Sequence, residues 1–218
     1  MQWNRHRRPL LSIVALLLAL SGSPAAVADD TIESRLVQGG AFEFTKLDGA
    51  GRPLANQDAI YTITPWDCVR DDVTGLVWEV KTVDGGLRDQ NHRYTWYNPN
   101  PDENGGAPGS RDGGECGGGI RCDTRAYVAA VNRNGLCGAN DWRLPTRAEL
   151  RTIVDYQADF PAIDTNYFAN TIARSFWTSE ANDTYPNYAW HTDFKFGLAS
   201  YYYYKSGPKA VRLVRGGR

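Results

Sequence analysis

The chain has little of what most metal-dependent and nucleophilic enzymes need. Histidine occurs three times in 218 residues, and methionine once. His6 lies in the leader described below, so only His92 and His191 remain. There is no His-Glu-x-x-His metal motif, no Gly-x-Ser-x-Gly nucleophile elbow and no phosphate-cradling glycine motif. No Cys-x-x-Cys pair is present and the histidines lie far from the cysteines, which argues against structural zinc. No basic stripe stands out, so nucleic acid is not expected as a partner. After the first twenty residues no apolar run is long enough to cross a bilayer.

What is present begins with a leader. Arg5, Arg7 and Arg8 precede an apolar run from Leu10 to Leu20, and Ala26-Val27-Ala28 offers a small-residue cleavage site before Asp29. These features read as a secretory signal peptide over residues 1–28. Arg7-Arg8 hints at twin-arginine export, but the residues that follow fit general secretion better. The first cysteine is Cys68, so no lipid-anchor cysteine stands at the cleavage point. Three of the 24 Lys+Arg fall in the leader, which leaves the remainder mildly acidic against 25 Asp+Glu. The expected product is exported, periplasmic or extracellular, without membrane insertion. Residues 29–66 read as a lead-in and first strand, and 67–218 as one domain long enough to bury a core.

Four cysteines in an exported chain imply two disulfides. Asp123 to Asn134 reads as a helix, with Asp123 at the N-cap and Gly135 just past the end. Cys122 and Cys137 flank it. Some ten helical residues span roughly 15 Å, while bridged Cα atoms lie within about 7 Å. Cys122–Cys137 is thereby disfavoured. Cys116 and Cys122 share a glycine-rich loop and meet easily, so the expected pairs are Cys116–Cys122 and Cys68–Cys137. That loop, Asn98 to Cys122, carries eight glycines after Asp102; a local crosslink would cut its entropy.

The most informative stretch is Asn140-Asp141-Trp142-Arg143-Leu144-Pro145-Thr146-Arg147-Ala148-Glu149-Leu150. Trp142 and Leu144 fall on one side of an extended segment. Pro145 keeps Leu144 out of the helical region. Thr146 and Glu149 form a capping box. Leu150, Ile153 and Val154 give a helical stripe, so the second helix is expected from Thr146 to about Gln157. Strands are expected at Leu76–Val80, Tyr94–Tyr97, Phe176–Thr178, Tyr188–Phe194, Leu198–Lys205 and Ala210–Arg215. Helices in the middle and an antiparallel meander at the end give an α+β class.

Several stretches together resemble the Lcl C-terminal domain family, named for a collagen-like bacterial adhesin and catalogued as a domain of unknown function. They are Asp72-Val73-Thr74-Gly75-Leu76-Val77-Trp78-Glu79, Asn134-Gly135-Leu136-Cys137-Gly138, Asn140 to Leu150, Ile153-Val154-Asp155-Tyr156, Phe176-Trp177-Thr178-Ser179 and Val211 to Gly217. The resemblance runs from about Cys68 to the C-terminus. It implies a C-type-lectin-like fold, with two helices packed on a twisted, mostly antiparallel sheet, and its first and last strands close together. Arg143 to Glu149 and Val211 to Arg215 are also similar to stretches of the sulfatase-modifying enzymes. Those enzymes work through cysteines near their C-terminus, and here no cysteine follows Cys137, so that activity does not carry over. The adhesin's glycan binding implies a binding role, although this chain has no Gly-X-Y repeat.

Asn182 to Ser206 concentrates tyrosine with asparagine and serine, the composition of adaptable binding surfaces. Tyr185, Asn187, Tyr188, His191, Tyr202 and Tyr204 are the candidate ligand-binding residues. The plain alternative is that tyrosine is a good strand former, and four successive tyrosines, Tyr201 to Tyr204, must alternate across a strand. His191 reads as a partly exposed polar-face residue rather than a catalytic base. Asp67, Asp71, Asp72, Asn140 and Asp141 are the places where a lectin-like fold could take calcium; they adjoin turns, where such side chains serve the backbone, and no cofactor is expected. The functional expectation is a non-enzymatic domain that binds a glycan or protein at the cell envelope. An envelope enzyme or accessory subunit, or a purely structural envelope protein, is the alternative.

Overall fold

A computed structural model describes residues 42–158, 160–198 and 202–217. The expected leader, and the lead-in as far as residue 41, lie outside them. The described chain is α+β, with seven short strands in two antiparallel sheets, two helices and two disulfides. Among the described residues no helix is long and apolar enough to cross a membrane.

The first sheet contains β1 (Phe44–Leu47), β2 (Cys68–Asp71), β3 (Val77–Glu79) and β7 (Val214–Arg215), in the order β1-β2-β3-β7. The β2–β3 turn follows from its sequence. The Asp71 carboxylate accepts from the backbone N–H of Val73 (3.1 Å) and Thr74 (3.3 Å), and Gly75 takes φ 72°. The second sheet, in the order β4-β5-β6, contains β4 (Ser175–Ala181), β5 (Tyr188–Asp193) and β6 (Tyr202–Tyr204). The single sheet expected from the family resemblance is therefore two.

Strand alternation divides the interior in two. Val69, Trp78, Phe176 and Phe194 face one apolar cluster with Leu150, Ile153 and Phe168. Cys68, Val77, Trp177 and Ala189 face another with Tyr127, Val131 and Trp142. Helix α1 (Thr124–Asn134) buries Tyr127, Ala130 and Val131, which lie at helical spacing. Asp123 caps it by accepting from Ala126 N–H, and Gly135 ends it at φ 70°. Helix α2 (Arg147–Arg151) carries the capping box but stops well short of Gln157. Thr152, Ile153 and Val154 are successive β-branched residues, and the Thr152 hydroxyl turns back to the Glu149 carbonyl at 2.7 Å. Leu150, Ile153 and Val154 are buried as the stripe requires.

Two other strand expectations change. Tyr94–Tyr97 is extended but makes only isolated bridges, to Lys209, Asp123 and Gly109. Ala210–Arg215 is divided between the sheets: Ala210 pairs with Phe176 of β4, and Val214 with Trp78 of β3 and with Arg143. This last segment is the seam joining the two sheets. The 140–150 corner is pinned to it. Arg143 forms a two-pronged ion pair with Glu149 (2.7 and 2.6 Å) and also reaches the Gly216 carbonyl. Asp141 pairs with Arg215, and the Asn132 side chain holds both backbone groups of Trp142 at 2.8 Å.

Cys68–Cys137 and Cys116–Cys122 are the bridges, with Cα separations of 6.5 and 5.6 Å. The Gly-rich loop is held at Gly114, where a Cβ would lie 2.2 Å from the Arg93 carbonyl oxygen. Buried Lys205 holds the loop from the other side, donating to the carbonyls of Asn104, Ala107 and Pro186 at 2.7, 2.7 and 2.6 Å.

Glu79, Lys81, Tyr127 and Arg212 are fully enclosed. The Glu79 carboxylate accepts from Lys81 (2.9 Å), from the Tyr127 hydroxyl and from Leu213 N–H (2.9 Å). Burial holds the Lys81 pKa below its ordinary value and the Tyr127 pKa above its own. Removing one partner of such a pair leaves the other uncompensated. Glu79→Gln is expected to lose about 3–5 kcal/mol, and Tyr127→Phe about 1–3 kcal/mol, in urea denaturation of the oxidised protein. Wild-type stability for both variants would refute this account. Loop-closure entropy also ranks the disulfides. Sequence separations of 69 and 6 correspond to roughly 4 and 2 kcal/mol respectively. Paired Cys→Ala variants, unfolded under the same conditions, check that order.

Candidate functional site

Strand β5, edge strand β6 and the turn before β5 bring the tyrosines together. The Asn182 carboxamide oxygen accepts from Thr184 N–H (2.9 Å) and Tyr185 N–H (2.8 Å), folding the turn. Tyr188 N–H then donates to the Tyr185 carbonyl at 2.9 Å. Tyr188 and Tyr204 are direct cross-strand partners, and their ring centroids lie 4.2 Å apart. The Tyr185 ring meets Tyr188 edge-on at 5.9 Å. The outer members are open to solvent, Tyr185 by 50% and Tyr204 by 53%. Asn187 is exposed beside them, and its carbonyl accepts from Lys205 N–H at 2.8 Å.

Two residues outside the sequence candidates extend this face. Trp190, two positions from Tyr188, is half-buried, with the Arg147 guanidinium 4.1 Å above its ring. Arg147 is itself ion-paired with Glu180. The period-two spacing from Tyr188 to Trp190 was the available signal for the tryptophan; nothing local to Arg147 announced its position. Tyr201 lies outside the described residues, and Tyr202 is described by its backbone alone, opposite Trp190.

His191 does not belong to this surface. It is buried, not partly exposed as the polar-face reading expected, because β5 alternation turns Ala189 and His191 inward. Its ring lies 6.1 Å from Trp177 and 6.2 Å from Tyr203. Lys209 sits on the same side, 3.8 Å over the Tyr203 ring. Burial, and secondarily Lys209, lower the His191 pKa to about 4. Its Nδ1 has no hydrogen-bond partner among the described residues.

The acids weighed as calcium ligands are otherwise engaged. Asp71 holds its turn, Asp67 pairs with Arg88, Asp72 with Arg70 and Asp141 with Arg215. Among the described residues no group of three or more His, Cys, Asp or Glu is placed to hold a metal. A cleft of about 440 Å³ opens elsewhere, between the 57–66 segment and Thr165–Tyr167.

A family model described as the Lcl C-terminal domain matches residues 67–215. The chain belongs to the Lcl C-terminal domain family. No curated protein and no solved structure matched the chain. The Lcl C-terminal match takes in β2 through β7, and with them the buried Glu79 cluster, the 140–150 corner and the tyrosine face. Strand β1 and the 48–66 segment precede it.

In this Lcl C-terminal domain the buried imidazole sets a pH dependence. Its folded pKa of about 4 lies below the ordinary 6.5. Between those values the unfolded chain binds more protons, so stability falls as pH drops from 6.5 to 4. The loss from this group amounts to at most about 3 kcal/mol. Urea midpoints across this range should flatten in His191→Gln, and the wild-type imidazole should titrate near pH 4 by NMR. An imidazole titrating at 6.5 would contradict the buried placement.

Proposed function

We propose that the protein is an exported, non-enzymatic binding module with a C-type-lectin-like fold, acting at the bacterial cell envelope. It recognises a glycan or protein ligand through Tyr185, Tyr188, Tyr204 and neighbouring Asn187. The observation that carries this reading is the tyrosine ladder that runs from the turn before β5 across β5 to edge strand β6, half-exposed at both ends. Rings braced on one another lose little side-chain entropy when a ligand arrives, and hydroxyls at a half-open edge both donate and accept hydrogen bonds. Export is supported by the leader pattern at residues 1–28 and by two disulfides, which persist in oxidising compartments.

A Tyr185→Ala/Tyr188→Ala/Tyr204→Ala variant, alongside wild type, on a glycan array and against immobilised envelope proteins, tests this. The expected result is at least a tenfold loss of whichever interaction the wild type shows, with the thermal transition retained. Equal binding by the two proteins, or none by wild type on either surface, would remove the proposal.

A further inference from the structure

We infer that the cleft between the 57–66 segment and Thr165–Tyr167 is a second binding site, shaped for an uncharged pyranose ring. Its volume, about 440 Å³, lies within the few hundred to roughly 1,000 Å³ of small-ligand sites. Half-buried Tyr61 and Tyr167 supply apolar walls, and Trp66, itself buried, lines the cleft with them. Asp58, Thr62, Thr165 and Asn166 are exposed around them, and their side chains make no hydrogen bond among the described residues. Ile60, 63% exposed, stands at the rim. A ligand with one apolar face and a hydroxylated edge matches that division.

The cleft is held in shape before any ligand arrives. The Gln57 side chain acts as a strand partner for β1, accepting from Lys46 N–H (2.7 Å) and donating to the Lys46 carbonyl (3.2 Å). The buried Lys46 ammonium donates to the carbonyls of Gln57 (2.7 Å) and Ala59 (2.9 Å), 4.5 Å from the Trp66 ring. The Trp66 indole N–H donates to the Tyr167 carbonyl at 2.8 Å, tying one wall to the other. Tyr61 meets Trp66 edge-on at 5.0 Å. A walled cleft braced in this way lowers the ordering cost of binding.

Charge selects the class. The Lys46 amine is enclosed and committed to backbone, and Asp58 and Asp164 act on it as counter-charges. An anion would meet the Asp58 carboxylate, and a cation would be placed against Lys46. A neutral polyol can donate to Asp58 and exchange hydrogen bonds with Asn166 and the threonines. Of the lining, only Thr165, Asn166 and Tyr167 fall within the Lcl C-terminal match, so most of the site belongs to the preceding segment.

The test uses the full exported chain with its disulfides intact. Amide and indole NMR spectra are followed during titration with maltotriose, cellotriose and triacetylchitotriose, with glucuronic acid and glucosamine as charged controls. The expected result is saturable shifts of the Trp66 indole and of residues 58–62 and 165–167 with at least one neutral probe. Asp58→Asn and Asn166→Ala, both at exposed positions, should weaken that binding about tenfold, and the Tyr188→Ala/Tyr204→Ala variant should not change it. Absence of cleft shifts with all three probes, equal shifts with a charged control, or shifts confined to the tyrosine ladder would overturn the inference. The last outcome would support the ladder while removing the cleft.

Discussion

The Glu79 carboxylate is the group on which the remaining arrangement depends. It is wholly removed from solvent, and an ion so placed costs several kcal/mol unless its oxygens are matched. The matching groups come from three parts of the chain: Lys81 just beyond β3, Tyr127 from α1 and Leu213 N–H from the closing segment. Arg212, beside Leu213, is buried in the same region, bonded to the Thr171 hydroxyl at 2.6 Å and lying over Phe168. Any other docking of α1 or of the last strand would leave a buried charge unpaired. Glu79 and Arg212 both lie in stretches that carry the family resemblance, so these two motif charges are explained by packing.

Short strands leave many backbone groups without ladder partners, and the tryptophans meet part of that demand. The Trp96 indole donates to the Thr178 carbonyl at 3.0 Å and Trp177 to Tyr94 at 2.8 Å. Trp142 donates to Leu136 at 2.9 Å. Each bond joins irregular backbone to an apolar anchor that cannot move far, because the ring itself is buried. A Gly-rich chain thus gains fixed points without long regular elements. The 140–150 corner is one such point: its Trp faces inward while Arg143 and Asp141 grip the closing strand.

Much of this was legible because it is local. The Asp123 cap, the Gly135 stop, the Thr146–Glu149 box, the Asp71 turn and the disulfide partners each follow from residues close in sequence or from the length of the helix between them. What was not legible depends on distant contacts. Apolar spacing that continues through Ile153 and Val154 predicts a longer α2 than forms, because these residues pack from irregular backbone. The 210–215 run looks like one strand, but its division between two sheets is set by β3 and β4. His191 lies on the β5 face beside Trp177 and Lys209, both distant in sequence, so alternation alone gives the face and not its burial. The cleft at Trp66 has no local signature, because its second wall, Tyr167, lies about a hundred positions further on.

The tyrosine ladder is exposed, yet its footing is not. Lys205 follows Tyr204 directly and is buried, and burial alone lowers its pKa to about 8. Its ammonium holds the carbonyl of Pro186, next to Tyr185, and two carbonyls of the Gly-rich loop, with Trp96 beneath at 4.5 Å. One side chain therefore fixes the edge strand, the turn that presents Tyr185 and the loop behind both. Solvent exposure and anchoring are divided between Tyr204 and Lys205, neighbours in sequence. Tyrosines at its open positions can change with little cost to the interior, whereas the lysine that follows them cannot.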